Sequence, residues 1–154
     1  MPTLNSPDWG NIEYRSEDVL VFPEGVPSFE HLRRFILVRT EQYTPFYFLT
    51  SEDRPAIRFP CLAICLLDPA YRAEVTQESS ASGIFDPGEY SVGQPDILLL
   101  AVVTLPRDGE PTANLLAPVL IDSRRRVGAQ IVLEGARYSH VTPLPGRSPT
   151  EGQC

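Results

Sequence analysis

The sequence predicts an all-β fold: a small, partly open β-barrel-like single domain with long irregular loops and at most short helical turns. Three observations carry this. Apolar runs are short and rich in β-branched and aromatic residues, a composition that suits a pleated sheet. Sixteen prolines (Pro 16) are spread over 154 residues, so few long helices survive. Turn clusters such as Pro23-Glu24-Gly25 and Asp86-Pro87-Gly88 separate the runs. The length suits one domain. Residues 1–10 are expected as a flexible N-terminus, 11–142 as the folded body, and 143–154 as a flexible tail dominated by proline, glycine, serine and threonine.

In chain order, residues 19–22 read as a strand stopped by Pro23. Ser28 is placed to cap a short helical turn over 29–32. Residues 35–39 and 46–50 read as strands. Two runs, 61–67 and 97–105, are apolar without alternation, which suits strands covered on both faces. Between them, 71–78 alternates with period two: Tyr71, Ala73 and Val75 point inward, and Arg72, Glu74, Thr76 and Glu78 outward. Residues 79–94 read as an irregular loop. Residues 112–116 and 119–122 flank Pro118, and 126–133 form a last long strand.

Composition narrows the function. The formal net charge is -7, and every one of the 13 basic residues is arginine. Nucleic-acid binding draws on positive charge that displaces counterions from phosphates, so direct binding of DNA or RNA is not expected. An acidic surface favours a basic protein partner or simple solubility. No run approaches the roughly 20 apolar residues of a membrane span, and residues 1–10 lack the pattern of a signal peptide. A cytoplasmic location is expected. On one strand Cys61 and Cys65 would lie about 13 Å apart, beyond the roughly 7 Å that a disulfide spans. Both read as buried thiols, and they fall short of a zinc site.

The search for catalysis yields little. His31 and His140 are the two histidines. Ser139 and His140 are adjacent, so on a strand they point to opposite faces. No nucleophile elbow, zinc-protease helix, phosphate loop or EF-hand run is present. Glu52-Asp53 and Asp86 with Glu89 sit in loop-like contexts, where solvated carboxylates are the default. Arg124-Arg125-Arg126, the basic cluster, reads as a solvated turn. No catalytic residue, metal or cofactor is expected.

The most specific pattern lies in the second half. Ala101-Val102-Val103-Thr104-Leu105-Pro106, followed by Thr112-Ala113-Asn114-Leu115-Leu116-Ala117-Pro118-Val119-Leu120-Ile121-Asp122, resembles the VVT-x-P and TANL-x-API-x-IN signatures of the FliW family. Arg126, Gly128 and Gln130 fit its R-x-G-x-Q pattern. Phe22-Pro23-Glu24-Gly25-Val26-Pro27 with Phe29 and Phe35 is similar to its opening, 46–51 to its F-x-x-L-x-S strand, and Asp68-Pro69 with Tyr71 to the segment before its Y-E strand. The matches span roughly residues 12 to 144 in order.

Apart from the family, Thr112 and Asn114 can bond to nearby backbone. Pro118 suits a strand break, and Gly25 and Gly128 suit close approaches or unusual backbone angles. Gly25, Phe29, Thr112, Asn114, Leu115, Pro118, Gly128 and Gln130 are therefore expected as scaffold residues.

The resemblance implies a non-catalytic, cytoplasmic flagellar assembly factor. Its expected partners are flagellin and CsrA, an RNA-binding translational repressor that free FliW sequesters. Three departures stand out: Ser28 replaces a glycine, Asp122 replaces an asparagine, and Arg72 stands where an acidic residue often follows the tyrosine. The expected interface is the 71–78 strand, with Tyr71, Arg72, Glu74, Thr76 and Glu78 as partner-binding residues and the glutamates as contacts for a basic partner. The rival readings are a small-ligand β-barrel with Phe46, Phe48, Phe59 and Tyr71 around a pocket, and an OB-like module, against which the acidic balance speaks.

Overall fold

The computed structural model describes residues 1–80, 83–135 and 137–145. Among them lie strands, three single turns of 3-10 helix at 16–18, 41–43 and 64–66, and no α-helix. The first strands are β1 (Thr3–Ser6), β2 (Gly10–Glu13), β3 (Val19–Val21), β4 (Arg34–Val38), β5 (Tyr47–Ser51) and β6 (Arg58–Ala63). There follow β7 (Arg72–Val75), β8 (Gly88–Ser91), β9 (Ile97–Thr104), β10 (Thr112–Ala113), β11 (Val119–Asp122), β12 (Val127–Gln130) and β13 (Thr142–Pro143).

Seven of these strands close a barrel. β3 to β6 run as an antiparallel meander; β6 pairs with β9, β9 with β11, and β11 with β12. β12 returns to β3 by a parallel contact of one residue pair, Val127 with Val21, where the Val21 amide donates to the Arg126 carbonyl at 2.9 Å. The ring is thus closed, where the sequence suggested a partly open one, and this seam is its thinnest join. β10 and β13 extend the sheet from the far end of β9.

Alternate side chains of the ring meet different neighbours. Leu20, Phe22, Phe35, Leu49, Cys61, Leu100, Val119 and Ile121 fill the interior. Outward-pointing Leu62, Leu99, Ala101, Leu120 and Ala129 are covered by the β7–β8 hairpin and by Phe85. Outward-pointing Val19, Ile36 and Val38 are covered by Leu4 and Tyr14. Burial on both faces explains why β9 shows no alternation. Residues 61–67 behave differently: the strand ends at Ala63, and Ile64–Leu66 turns through 3-10 geometry. Cys61 is a buried free thiol whose pKa burial pushes up to about 12; Cys65 is half-buried and disulfide-bonded, which corrects its reading as a buried thiol.

The N-terminus differs from the flexible segment expected over residues 1–10. β1 and β2 form a hairpin with Leu4 buried against the barrel, and burial of such a side chain contributes about 2 kcal/mol. Leu4 and Trp9, set apart by polar residues and Pro7, gave the sequence reading no periodic pattern to detect. At the other end, Thr142 and Pro143 still pair with Ala113 and Thr112, so the fold reaches beyond the expected boundary at 142. Residues 146–154 of the expected tail lie outside the described residues.

Residues 29–32 do turn, with the Leu32 amide donating to the Phe29 carbonyl at 3.0 Å, but no helix forms and Ser28 lies in a tight turn of its own instead of acting as a cap. The Phe29 amide donates to the Val26 carbonyl at 2.8 Å, and Ser28 takes φ 74°. With Pro27 before it, Ser28 holds the third position of a tight turn that normally calls for glycine. The glycine that the resemblance implies at this position suits that backbone angle. We expect Ser28→Gly to stabilise the protein by about 1 kcal/mol. Thermal melting should then rise by about 3 °C; a fall in melting temperature would contradict the turn assignment.

Candidate functional site

The 71–78 segment does not form one exposed strand. β7 covers only Arg72–Val75, paired with β8, and the two make a separate sheet against the barrel. Tyr71 is fully buried at 0% exposure. Its hydroxyl donates to the Leu115 carbonyl at 2.6 Å, its ring stacks on Tyr138 at 4.3 Å, and burial pushes its pKa up. It therefore cannot touch a partner, which corrects its place among the contact residues. Ala73 and Val75 are buried beside it, as the alternation required.

Arg72 and Glu74 do point to solvent. The Arg72 guanidinium pairs with Glu89 across the hairpin at 3.4 Å, and its amide donates to the Tyr138 hydroxyl at 3.1 Å. Thr76 ends the strand. Its hydroxyl accepts from the Ser79 amide at 3.1 Å, and the Ser79 hydroxyl accepts from the Thr76 amide at 2.8 Å. This reciprocal turn leaves Thr76 half-buried and carries Glu78 past the strand, exposed but off the face that holds Glu74. The structure therefore brings together Arg72, Glu74 and Glu89. The sequence reading puts Glu89 in a loop as a solvated carboxylate, because β8, Gly88-Glu89-Tyr90-Ser91, lacks an apolar alternation and exists through its pairing with β7.

The motif residues form a second cluster. The Asn114 side-chain oxygen accepts from the amides of Leu116 and Ala117 at 3.1 and 2.9 Å, so the chain can bend between β10 and β11. The Asn114 amide donates to Val102, and the Leu115 amide to Ser139. The Gln130 side-chain amide donates to the Ala117 carbonyl at 3.0 Å, and the Pro118 carbonyl accepts from Ile131 at 3.0 Å. Thr112 pairs with Thr104 and Pro143. Gly128 sits against Phe22: a Cβ there would stand 2.5 Å from the ring. Gly25 has φ +64°, with the Glu30 backbone equally close. Phe29 packs edge-on to Phe59 at 5.7 Å.

Charged groups pin the outer pieces. Glu52 accepts from Tyr14 and from Arg34, both at 2.6 Å. Burial would raise the Glu52 carboxyl, but these two bonds outweigh it and hold it below its ordinary value. The hydrogen bond to Glu52, with burial, lifts the Tyr14 phenol to about 12. In the β11–β12 turn, Asp122 accepts from the Arg124 and Arg125 amides and pairs with the Arg125 guanidinium at 2.8 Å. Burial opposes ionisation of Asp122, yet these partners lower its pKa. Arg125 also reaches the Ile84 carbonyl at 2.9 Å and lies over the Phe85 ring. An asparagine, which the resemblance implies at this position, could not make this ion pair.

His140 is exposed beside Ser139, whose hydroxyl accepts from the Val141 amide at 3.0 Å. Among the described residues, no three of His, Cys, Asp and Glu converge as metal ligands, and no helix is long and apolar enough to cross a membrane. The four residues of the rival pocket do not share one. Phe46 and Phe48 line a surface cleft of about 270 Å³ with Trp9 and Tyr43, while Phe59 lines another of about 280 Å³. Tyr71 belongs to the outer layer.

Comparison with known proteins agrees with the geometry. The family model described as FliW protein matches residues 3–144. The flagellar assembly factor FliW of Caldanaerobacter subterraneus subsp. tengcongensis is 33% identical over 143 residues, covering 92% of this chain and 91% of that one. The protein of the same description from Moorella thermoacetica is 35% identical over 137 residues, covering 85% and 80%. A crystal structure of the flagellar assembly factor FliW superposes with a TM-score of 0.77 at 27% identity, covering 96% of this chain and all (100%) of the other. With its closed barrel, its motif cluster and these matches, the chain belongs to the FliW family of flagellar assembly factors.

Proposed function

We propose that this protein binds flagellin in the cytoplasm and sequesters the RNA-binding translational repressor CsrA, relieving repression of flagellin synthesis. Family membership over residues 3–144 is the observation that carries this reading. The net charge of -7 supports it, because an acidic surface speeds encounter with a basic partner. The work is reversible occupancy: each partner alters the protein's availability to the other by mass action, with no covalent step.

Glu74 remains the acidic contact proposed on the hairpin, with Arg72 and Glu89 beside it. Glu78 contributes from the neighbouring turn. Titration calorimetry with purified flagellin and with CsrA tests the reading. Saturable binding of both is expected, and reversing charge at Glu74 and Glu78 together should weaken CsrA binding several-fold. An absence of heat with either protein at micromolar concentration would refute the function. Unchanged CsrA affinity in the charge-reversed variant would remove the hairpin from the interface.

A further inference from the structure

The chain carries three cysteines (Cys 3), at positions 61, 65 and 154. Cys61 is buried and free, and a thiol kept out of water stays protonated and inert. Cys65 is disulfide-bonded. Elimination leaves Cys154 to supply the second sulfur.

Cys65 sits in the 3-10 turn Ile64–Leu66 that follows β6, where it lines a cavity of about 330 Å³. Arg39, Tyr47, Val92, Gln94 and Leu98 line the same cavity. Arg39 lies over the Tyr47 ring at 4.9 Å and donates to the Tyr47 hydroxyl at 3.1 Å. Walls that are part polar and part apolar, with a cation at one side, suit a chain segment with small polar side chains and a carboxylate. Residues 146–154 have that composition: Ser148, Thr150, Gly152 and Gln153, with Glu151 opposite in sign to Arg39.

The reach is sufficient. Pro143 stands level with Thr104 through Thr112, at the far end of β9 from the Ile97, Leu98 and Leu99 that line the cavity. β9 from end to end covers about 26 Å at strand spacing. From Pro145 to Cys154 an extended chain spans about 30 Å.

We propose that Cys65 and Cys154 form a reversible disulfide that draws residues 146–154 along the barrel and seats their end over this cavity, as a redox-controlled cover. Closure is a pair of thiol–disulfide exchanges with a low-molecular-weight disulfide such as oxidised glutathione. The Cys154 thiolate attacks one sulfur of that disulfide and expels a thiolate. The Cys65 thiolate then attacks the Cys154 sulfur of the mixed disulfide and expels the other. Both electrons pass from the protein sulfurs to the oxidant, whose expelled thiolates take up the protons. A dithiol reductant reverses the steps and uncovers the cavity. In a reducing compartment such a bond is transient and reports redox state. The inference does not depend on which partners the protein binds.

The test uses the full chain equilibrated with oxidised glutathione. Trypsin cuts after Arg58, Arg72 and Arg147, so digestion without reductant should give residues 59–72 linked to 148–154, with fragmentation placing the link on Cys65. The linked peptide should vanish with dithiothreitol and in Cys65→Ser. The cover is read by amide hydrogen exchange at Val92, Gly93 and Gln94. These amides should exchange at least fivefold faster in the reduced protein than in the oxidised one, and equally fast under both conditions in Cys154→Ser. Serine keeps the size of cysteine and removes the sulfur chemistry, so both variants should melt like the reduced wild type. A link through Cys61, a covalent dimer on a non-reducing gel, or no linked peptide overturns the disulfide. Equal exchange in the oxidised wild type and in Cys154→Ser overturns the cover.

Discussion

Gly25→Ala is expected to destabilise the protein by about 2–5 kcal/mol. Two effects add. The residue holds φ +64°, where a side chain costs about 1–2 kcal/mol. The new Cβ would also stand 2.6 Å from Glu30 Cα and 2.7 Å from the Phe29 carbonyl oxygen. These are backbone atoms that cannot swing aside, so overpacking adds about 1–3 kcal/mol. Urea unfolding should show a lower midpoint at an unchanged slope. Gly109→Ala separates the two contributions: Gly109 has φ +102° but nothing within 4 Å of its Cβ position, so only the conformational cost applies. Equal losses in the two variants would show that the crowding against Glu30 relaxes freely.

Tyr71→Ala should cost at least about 4 kcal/mol. Truncating a buried aromatic costs about 3–5 kcal/mol, and the Leu115 carbonyl loses its donor, which adds about 1–3 kcal/mol. Tyr71→Phe isolates the second effect, since the ring still packs on Tyr138. The same variant separates scaffold from interface: it should bind flagellin and CsrA like wild type at a temperature where it is folded. A tenfold loss of binding by folded Tyr71→Phe would put the hydroxyl in contact with a partner, which its burial forbids.

The central strands were legible because their environment is uniform. β9 is apolar throughout since the ring interior holds Leu100 and the outer layer holds Leu99 and Ala101, so the run in the sequence maps directly onto the strand. The inward set Tyr71, Ala73 and Val75 was legible for a related reason: alternation survives wherever one face is covered. What failed were elements stabilised from outside themselves. β8 has a glycine, a glutamate and a serine among its four residues and is held by β7. The N-terminal hairpin relies on Leu4, with Ser6 accepting from the Asp8 and Trp9 amides.

Ser28 misled for a different reason, since the same residue type caps helices and tolerates tight turns. Here Pro27 before it selects the turn. The candidate face on β7 was legible only in part. Period two predicts direction along a strand but not where the strand stops, and the Thr76–Ser79 turn removes Glu78 from the face assigned to it.

The N-terminal hairpin has a practical consequence. Deleting residues 1–14 would uncover Val19, Ile36, Val38 and the side of Phe48 as one greasy band on β3 to β5, which favours clumping. Any shortened version made for crystallography or display should therefore retain this flap, and fluorescent or affinity labels are better joined before Met1, which is 76% exposed.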